Sequence, residues 1–510
     1  MDPRQRASAF LEHAHLYRLG VLPTEQPHPA TRDLSVWARH DLQRAIASLK
    51  DVDLQALGAL QAFAADIDRL AARVSATLDA GRRVFLCGCG ATGRLSLSLE
   101  FVWRSRHAGD DRVRAFIAGG DVALVHALEG FEDHPAYGAR HLEEMGFADG
   151  DLLIACTEGG ETPYVIGAAE QAARISSTNM PCFLHCNPEA ILSRHVERFR
   201  RVRANPRIET ICLEVGPMAL TGSTRMQAST VLQLAVGLAL LHPGDASERI
   251  AAFRDAWLDT DLTFLGAFVE READIYGTRD HVTYRVADYA ITVLTDTTER
   301  APTFSLVPFD QLRLGRAIHS PCYVSLDDAH DPAAAWEALL GRAPRAVEWP
   351  DVDERTTSSY LHGFDFSRHA AQRRRRQIPH QAHREFGISR SQGGIALDLD
   401  GLRHDLPAAH LPELFQHLLL KQTLNIHSTL VMGRLGRYEG NLMTWVTPTN
   451  GKLVDRAARY VAHLLARAGD GGHSYEEIVH QIFEEAELAG PGEPIVLRAC
   501  ESLLRRRAAS

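Results

Sequence analysis

The sequence predicts an α/β protein with two lobes, each built on a parallel sheet flanked by helices. Between residues 83 and 215, five short apolar runs each end in a glycine-rich or polar turn, and helical periodicity follows. Parallel strands need such crossovers, and the helices then cover both faces of the sheet. The 510-residue chain is also too long for one hydrophobic core.

The first lobe contains the clearest strand pattern. Its predicted strands are Arg83–Cys87, Arg114–Ala118, Asp151–Cys156, Pro181–Cys186 and Ile211–Val215. Apolar residues at helical spacing predict one long amphipathic helix over Asp53–Leu78 before them. A further helix is expected from Gly216-Pro217 to Leu241.

The second lobe has a weaker pattern. Strands are predicted at His281–Val286 and Cys322–Leu326, but residues 343–395 are charged and irregular and give no clear strands. Long helices are expected over residues 411–433 and 450–468, and two short helices around Gly490-Pro491-Gly492 end the chain.

These patterns suggest four segments. Residues 1–52 form an N-terminal helical arm, 53–245 the first lobe, 246–468 the second lobe, and 469–510 a C-terminal helical tail.

Composition excludes several classes of function. The net charge of -10 argues against general nucleic-acid binding, which needs a field of opposite sign. No apolar stretch could span a bilayer and no signal-peptide core is present, so we expect a cytoplasmic protein that binds no membrane. Eight cysteines without CxxC pairs and 25 histidines without an HExxH motif predict free thiols and no metal site.

A glycine-rich turn follows the first strand and opens a helix. It contains Gly88, Gly90, Ala91, Thr92 and Gly93. Ligands of open α/β sheets bind beyond the carboxyl ends of the strands, and a helix N-terminus presents free N–H groups to an anion. The turn therefore predicts a phosphate site.

The same glycines suit a second interpretation. Gly88, Gly90 and Gly93 fit the GxGxxG spacing of a dinucleotide site, which also needs an acidic residue about twenty positions further on. The next strand ends in glycines, and Asp121 lies past the expected position. This argues against NAD.

The loop after the third strand, Thr157–Thr162, supplies hydroxyl groups but also two carboxylates. Glu158 and Glu161 would repel a phosphate unless they point away or contact sugar hydroxyls.

The loop at Leu220–Met226 supplies Ser223, Thr224 and Arg225. Arg225 can balance the charge of an anion, and the two hydroxyls can donate to it. The alternative is that these hydroxyls only cap a helix.

The order and spacing of these motifs resemble one family, the SIS (sugar isomerase) domain proteins. The resemblance is to the branch of N-acetylmuramic acid 6-phosphate etherase and the glucokinase regulatory protein, over about residues 20–468. The matching segments are Thr24-Glu25 with Asp33, Gly88–Arg94, Ile117–Gly120, Glu129–Asp133, Thr162–Gly167, Cys186–Pro188, Gly216–Met226, Gly440–Met443 and Pro448–Leu453.

The resemblance implies two fused SIS lobes that share one composite site. Glu132 and Glu299 match the catalytic carboxylates of the etherase, and Arg437 matches a family lysine near the sugar phosphate. The implied ligand-binding set also includes the glycine turn, Glu129, Thr157, Gly159, Thr162, Ser223, Thr224 and Arg225.

Three positions depart from the etherase pattern. Gly159 replaces a phosphate-binding serine, for which Thr157 is the candidate substitute. Met218 and Gln227 replace a glutamate and a lysine, and the second lobe lacks a clear glycine loop, so we expect one ligand per chain.

Two functions remain open at this point. The first is a cofactor-free lyase or isomerase for an amino-sugar or ketose 6-phosphate, such as N-acetylmuramic acid 6-phosphate. The second is a non-catalytic sensor of a ligand like fructose 6-phosphate that regulates a kinase or another partner. The sequence leaves a protein partner and a homodimer equally open.

Overall fold

Two five-stranded sheets form the centre of the protein in the computed structural model, which describes residues 2–311, 318–490 and 493–508. Of Glu129, Arg507 and Ala508 only the backbone is described. The predicted turn at Pro491-Gly492 lies outside the described residues.

All five strands of the first sheet are parallel, in the order β2-β1-β3-β4-β5. The strands are β1 (Val84–Gly88), β2 (Val113–Ile117), β3 (Leu152–Cys156), β4 (Cys182–His185) and β5 (Glu209–Cys212). The sequence prediction of this sheet is confirmed, with strand ends shifted by at most three residues.

The second sheet is mixed, which differs from the prediction of a parallel sheet. Its order is β10-β9-β8-β6-β7, and β8, β9 and β10 pair antiparallel. The strands are β6 (His281–Val286), β7 (Cys322–Leu326), β8 (His383–Arg390), β9 (Gly394–Leu399) and β10 (Leu402–Pro407). Asp400 and Gly401 join β9 to β10 with φ angles of 49° and 88°, as a tight hairpin turn requires.

Helices surround both sheets. In the first half of the chain they are α1 (Pro3–His13), α2 (Leu34–His40), α3 (Leu42–Leu60), α4 (Ala64–Asp79), α5 (Ala91–Arg106), α6 (Pro135–Glu144), α7 (Pro163–Ile175), α8 (Glu189–His195), α9 (Glu197–Ala204), α10 (Gln227–Leu241) and α11 (Ala246–Asp259). In the second half they are α12 (Leu265–Gly277), α13 (Ala290–Phe304), α14 (Pro332–Leu340), α15 (Ser358–Leu361), α16 (Arg368–Gln377), α17 (Glu413–Arg434), α18 (Gly451–Arg467), α19 (Tyr475–Leu488) and α20 (Ile495–Ala508). None of the described helices is long and apolar enough to cross a membrane.

Two predicted helices need correction. The segment 53–78 is not one helix, because a 3-10 turn at Gln61–Phe63 separates α3 from α4. Both halves still present apolar faces, so the periodicity hid the break. The helix predicted from Gly216 begins at Gln227 instead, and residues 216–226 form a loop. The four segment boundaries stay predictions, although α3 crosses the first of them.

A pair of buried helices joins the two lobes. Every residue of α10 is buried, as are Leu414–Gly433 of α17, and the two helices contact each other. Helices that are enclosed on all sides belong to the core. The interface is therefore continuous with the core of both lobes.

The N-terminal arm is fixed to the rest of the protein by buried polar contacts. The Glu25 carboxylate accepts hydrogen bonds from Arg456 (2.6 Å) and Arg459 (2.9 Å) on α18. The Asn187 side chain bonds both the backbone N–H and the hydroxyl of Thr24. Burial raises the pKa of Glu25, but the two arginines outweigh it and lower the pKa to about 2.

Close packing of α6 on α7 predicts a specific glycine requirement. A Cβ on Gly167 would lie 1.8 Å from the Pro135 carbonyl oxygen. We expect Gly167→Ala to lower the free energy of unfolding by roughly 1–3 kcal/mol through overpacking. Gly58→Ala, in α3 with nothing within 4 Å of the added Cβ, should instead raise it by about 0.5–1 kcal/mol. Equal effects in chemical denaturation would contradict this packing.

The Glu25 contacts predict a pH-dependent contribution to stability. Because the folded pKa lies below the unfolded one, this contribution is present above about pH 4.5 and is lost as the pH falls toward 2. Glu25→Gln should cost on the order of 3 kcal/mol near neutral pH and progressively less in acid, measured by denaturation across pH. The exposed Glu12→Gln is the control and should change stability little at any pH.

Candidate functional site

A cavity of about 150 Å³ lies between the two lobes, where the loops that follow β1 and β3 and the loop that precedes α10 converge on α13 and α18. It brings together eight of the predicted site residues: Gly90, Ala91, Glu132, Thr162, Ser223, Thr224, Arg225 and Glu299. The cavity is lined by both lobes, since Glu299 comes from the second lobe and the loops come from the first.

The glycine turn opens this cavity on one side. Gly90 has a φ of +53° and no atom within 4 Å of a built Cβ, so its backbone faces open space. Gly88 leaves no room for a side chain, because a Cβ would lie 2.3 Å from the Thr92 carbonyl carbon. A Cβ on Gly93 would likewise lie only 2.2 Å from the Ile117 side chain. Gly88 and Gly93 thus shape the turn, and Gly90 and Ala91 line the cavity.

Thr92 has a structural role in this turn. Its hydroxyl accepts a hydrogen bond from the Cys89 N–H (3.0 Å) and donates one to the Cys89 carbonyl oxygen (2.9 Å). Thr92 is buried and does not line the cavity.

In the loop after β3, likewise, one hydroxyl residue lines the cavity and another supports the loop. The hydroxyls of Thr157 and Thr162 lie 2.9 Å apart, and Thr157 also accepts from the Gly160 N–H. The Gly159 carbonyl oxygen accepts from Asn187. Thr162 lines the cavity, whereas Thr157 and Gly159 support the loop behind it.

The two carboxylates of this loop have opposite surroundings. Glu161 turns away from the cavity to pair with Arg198 and with Lys452 (3.1 Å). Burial raises the pKa of Glu161, but these two cations outweigh it and lower the pKa to about 2. Glu158 lines the cavity, and burial raises its pKa to about 7.

The hydroxyls of the third loop do not cap a helix. Helix α10 begins at Gln227, and its first turn receives no side-chain hydrogen bond from a capping residue. Ser223 is buried at the cavity wall, and its hydroxyl has no hydrogen-bond partner among the described residues. Thr224 lines the same wall. Both residues therefore face the cavity rather than a helix end.

Arg225 is already paired across the lobe interface. Its guanidinium donates to Asp296 of α13 (3.1 Å) and to the Thr429 hydroxyl (2.9 Å). Burial lowers the pKa of Arg225. It lines the cavity, but its charge is balanced by Asp296 before any anion arrives.

The two predicted catalytic carboxylates are each paired with a cation. Glu299 accepts from Arg94 at 2.6 Å, and Arg94 also donates to the backbone carbonyls of Ala123 and Leu124. Glu132 lies 3.3 Å from the Lys452 ammonium.

Arg437 lies outside this cavity, in a neighbouring groove of about 740 Å³. Its guanidinium is 3.8 Å from the centre of the Trp445 ring and donates to the Ser305 carbonyl oxygen. The groove and the cavity share Arg94 and Leu453 among their walls. Glu129 was also predicted to bind the ligand, but its side chain lies outside the described part of the structure.

Several lining residues were missed as site residues. Arg94, Lys452 and Arg456 supply positive charge to the cavity. Arg94 directly follows the glycine turn, and Lys452 lies in the segment Pro448–Leu453, so both positions carried a signal in the sequence. Arg456 follows Lys452 by one helical turn, which places both side chains on one face of α18.

The chain is similar to proteins of known families. Residues 66–173 match the family model described as the glucokinase regulatory protein N-terminal SIS domain. The chain is 30% identical over 228 residues to an N-acetylmuramic acid 6-phosphate etherase of Mesorhizobium japonicum, covering 44% of this chain and 69% of that protein. It is also 30% identical over 221 residues to etherase 2 of Vibrio cholerae, covering 43% and 67%.

Solved structures with a related arrangement are more distant. Tagatose-6-phosphate ketose/aldose isomerase from Escherichia coli superposes with a TM-score of 0.43 and 14% identity, over 76% of this chain and 92% of that one. On the extent of the sequence match to the etherases, the chain belongs to the SIS domain family, in the branch of N-acetylmuramic acid 6-phosphate etherase and the glucokinase regulatory protein.

Proposed function

We propose that the protein is a cofactor-free lyase or isomerase that binds a sugar 6-phosphate, such as N-acetylmuramic acid 6-phosphate, in the cavity between its lobes. The observation that carries the proposal is the convergence of phosphate-type loops of the first lobe with carboxylates from both lobes. Loop N–H groups and hydroxyls hold an anion, and a nearby pair of carboxylates performs acid–base chemistry on a sugar.

The sizes of the cavity and the neighbouring groove support a ligand that extends from one into the other. A cavity of about 150 Å³ is smaller than most ligand sites, whereas the groove beside it measures about 740 Å³. The phosphoryl group fits the narrow part between Gly90 and Ser223, with substituents of the sugar directed toward the groove. Arg437 would then contact such a substituent rather than the phosphate.

Glu132 and Glu299 are the acid–base pair in this proposal. One carboxylate removes the proton beside the carbonyl of the open-chain sugar, and the other protonates the departing oxygen. Lys452 and Arg94 hold these two carboxylates in position at the cavity wall.

A non-catalytic sensor is the second candidate. The close pairing of Glu299 with Arg94 favours the sensor, because a buried ion pair can have a purely structural role, which here is to join the two lobes. In that case the cavity binds a phosphorylated ketose, and the ligand stabilises one arrangement of the two lobes for a partner protein.

An activity assay separates the two candidates. We expect lactate release from N-acetylmuramic acid 6-phosphate, and Glu299→Gln should lower kcat by roughly 10²- to 10⁴-fold because an acid–base group is lost. Glu214→Gln, an exposed glutamate after β5, is the control and should keep full activity. No turnover by the wild type, together with tight binding of fructose 6-phosphate, would favour the sensor.

Ser223 gives a test of ligand binding that is independent of turnover. Its hydroxyl has no partner among the described residues, so Ser223→Ala should leave the melting temperature of the empty protein unchanged. Affinity for a sugar phosphate should fall about tenfold, because a hydrogen bond to the anion is lost. Ser96→Ala, whose hydroxyl donates to the Thr92 carbonyl away from the cavity, should keep wild-type affinity in calorimetry.

A further inference from the structure

Glu158 is a cavity carboxyl that the proposed chemistry does not use. It lies in the loop after β3 and is 8% exposed. Its Oε1 atom has no hydrogen-bond partner among the described residues, although the side chain lines the cavity. A buried polar atom without a partner is costly unless a ligand satisfies it.

The charges of the cavity make an ionised Glu158 unfavourable for anion binding. Arg94 is paired with Glu299, Arg225 with Asp296, and Lys452 with Glu132. The remaining lining cation is paired in the same way, because Arg456 binds the Glu25 carboxylate. An incoming phosphate therefore meets cations that are already neutralised, and a further carboxylate would repel it.

Groups on several elements face Glu158. Burial raises its pKa to about 7. A hydrogen bond from its own backbone N–H and the charge of Lys452 oppose the rise, and Glu299 and Glu132 add to it. The other ionisable groups that interact with it are Cys156 of β3, Cys186 after β4 and Lys421 of α17. Near neutral pH the carboxyl can therefore change its protonation state when the charge in the cavity changes.

We propose that Glu158 binds the anionic group of the ligand as a neutral carboxylic acid, donating one hydrogen bond, so that ligand binding takes up one proton from solution. The inference rests on the proposed function, because it assumes a phosphorylated ligand in this cavity. Only the protonated carboxyl can donate to an anion. Glu158 is thus a binding residue that makes affinity fall with rising pH.

Calorimetry with fructose 6-phosphate tests the proton uptake directly. Titrations at about pH 8, in buffers with different ionisation enthalpies, should show about one more proton taken up by the wild type than by Glu158→Gln. The glutamine keeps the shape and can donate a hydrogen bond from its amide, but it does not titrate. Protonation of the phosphate itself is common to both proteins and cancels in the comparison.

The pH dependence of affinity gives the second readout. Above about pH 7, wild-type affinity should fall by up to tenfold per pH unit relative to Glu158→Gln, whose affinity should follow only the ionisation of the phosphate. Glu214→Gln should behave as the wild type. Binding with equal proton uptake in wild type and Glu158→Gln would overturn this inference alone. Absence of fructose 6-phosphate and N-acetylmuramic acid 6-phosphate binding at every pH would overturn the proposed function with it.

Discussion

Two buried arginine–carboxylate pairs across the lobe interface determine the rest of this structure. Arg94 of α5 pairs with Glu299, and Arg225 of the loop before α10 pairs with Asp296. Both carboxylates belong to helix α13. The two carboxylates are three residues apart and therefore lie on one face of the helix. These pairs hold α13 against the loops, in addition to the packing of α10 on α17 that joins the two lobes. Removing one member of such a pair leaves a buried charge uncompensated, which typically costs about 3–5 kcal/mol.

The same helix is anchored from behind by a second charge network. Arg300, which is fully buried, donates to Glu272 (2.7 Å), to the Tyr284 hydroxyl (2.7 Å) and to Asp296 (3.1 Å). Asp296 thus accepts from an arginine of each lobe, and burial is outweighed by these cations, which lower its pKa. The consequence is a site whose electrostatics are fixed before a ligand binds. Affinity for an anion must then come from N–H groups, hydroxyls and protonation, since the lining arginines and the lysine are already neutralised.

The strands and loops were predictable because their signals are local. Each strand of the first sheet is a short apolar run followed by a polar or glycine-rich turn, and Gly90 and Ser223 were located from such turns. Glu299 was located instead from the resemblance of its segment to the etherase. The pairings were not predictable, because the sequence does not show that Arg225 meets Asp296, or that Glu161 turns to Arg198 while Glu158 stays in the cavity. The β9–β10 hairpin could have been found: Asp400-Gly401 lies between alternating apolar residues, a strong hairpin signal. The break between α3 and α4 left no such signal, since both helices continue one apolar pattern.

The second lobe contributes to the first lobe's site because its own strand-end loop cannot cradle an anion. Helix α13 follows β6 as α5 follows β1, but the connection is Ala287-Asp288-Tyr289, without a glycine. Tyr289 is fully buried and its hydroxyl donates to Gln416 (2.6 Å), so a bulky side chain stands where the first lobe has a glycine turn. The Asp288 carboxylate accepts from the Arg390 N–H (3.0 Å), which places a negative group beside the loop. The second lobe therefore lacks a glycine turn at the position equivalent to Gly88–Gly93, and it contributes helix α13 to the cavity wall instead.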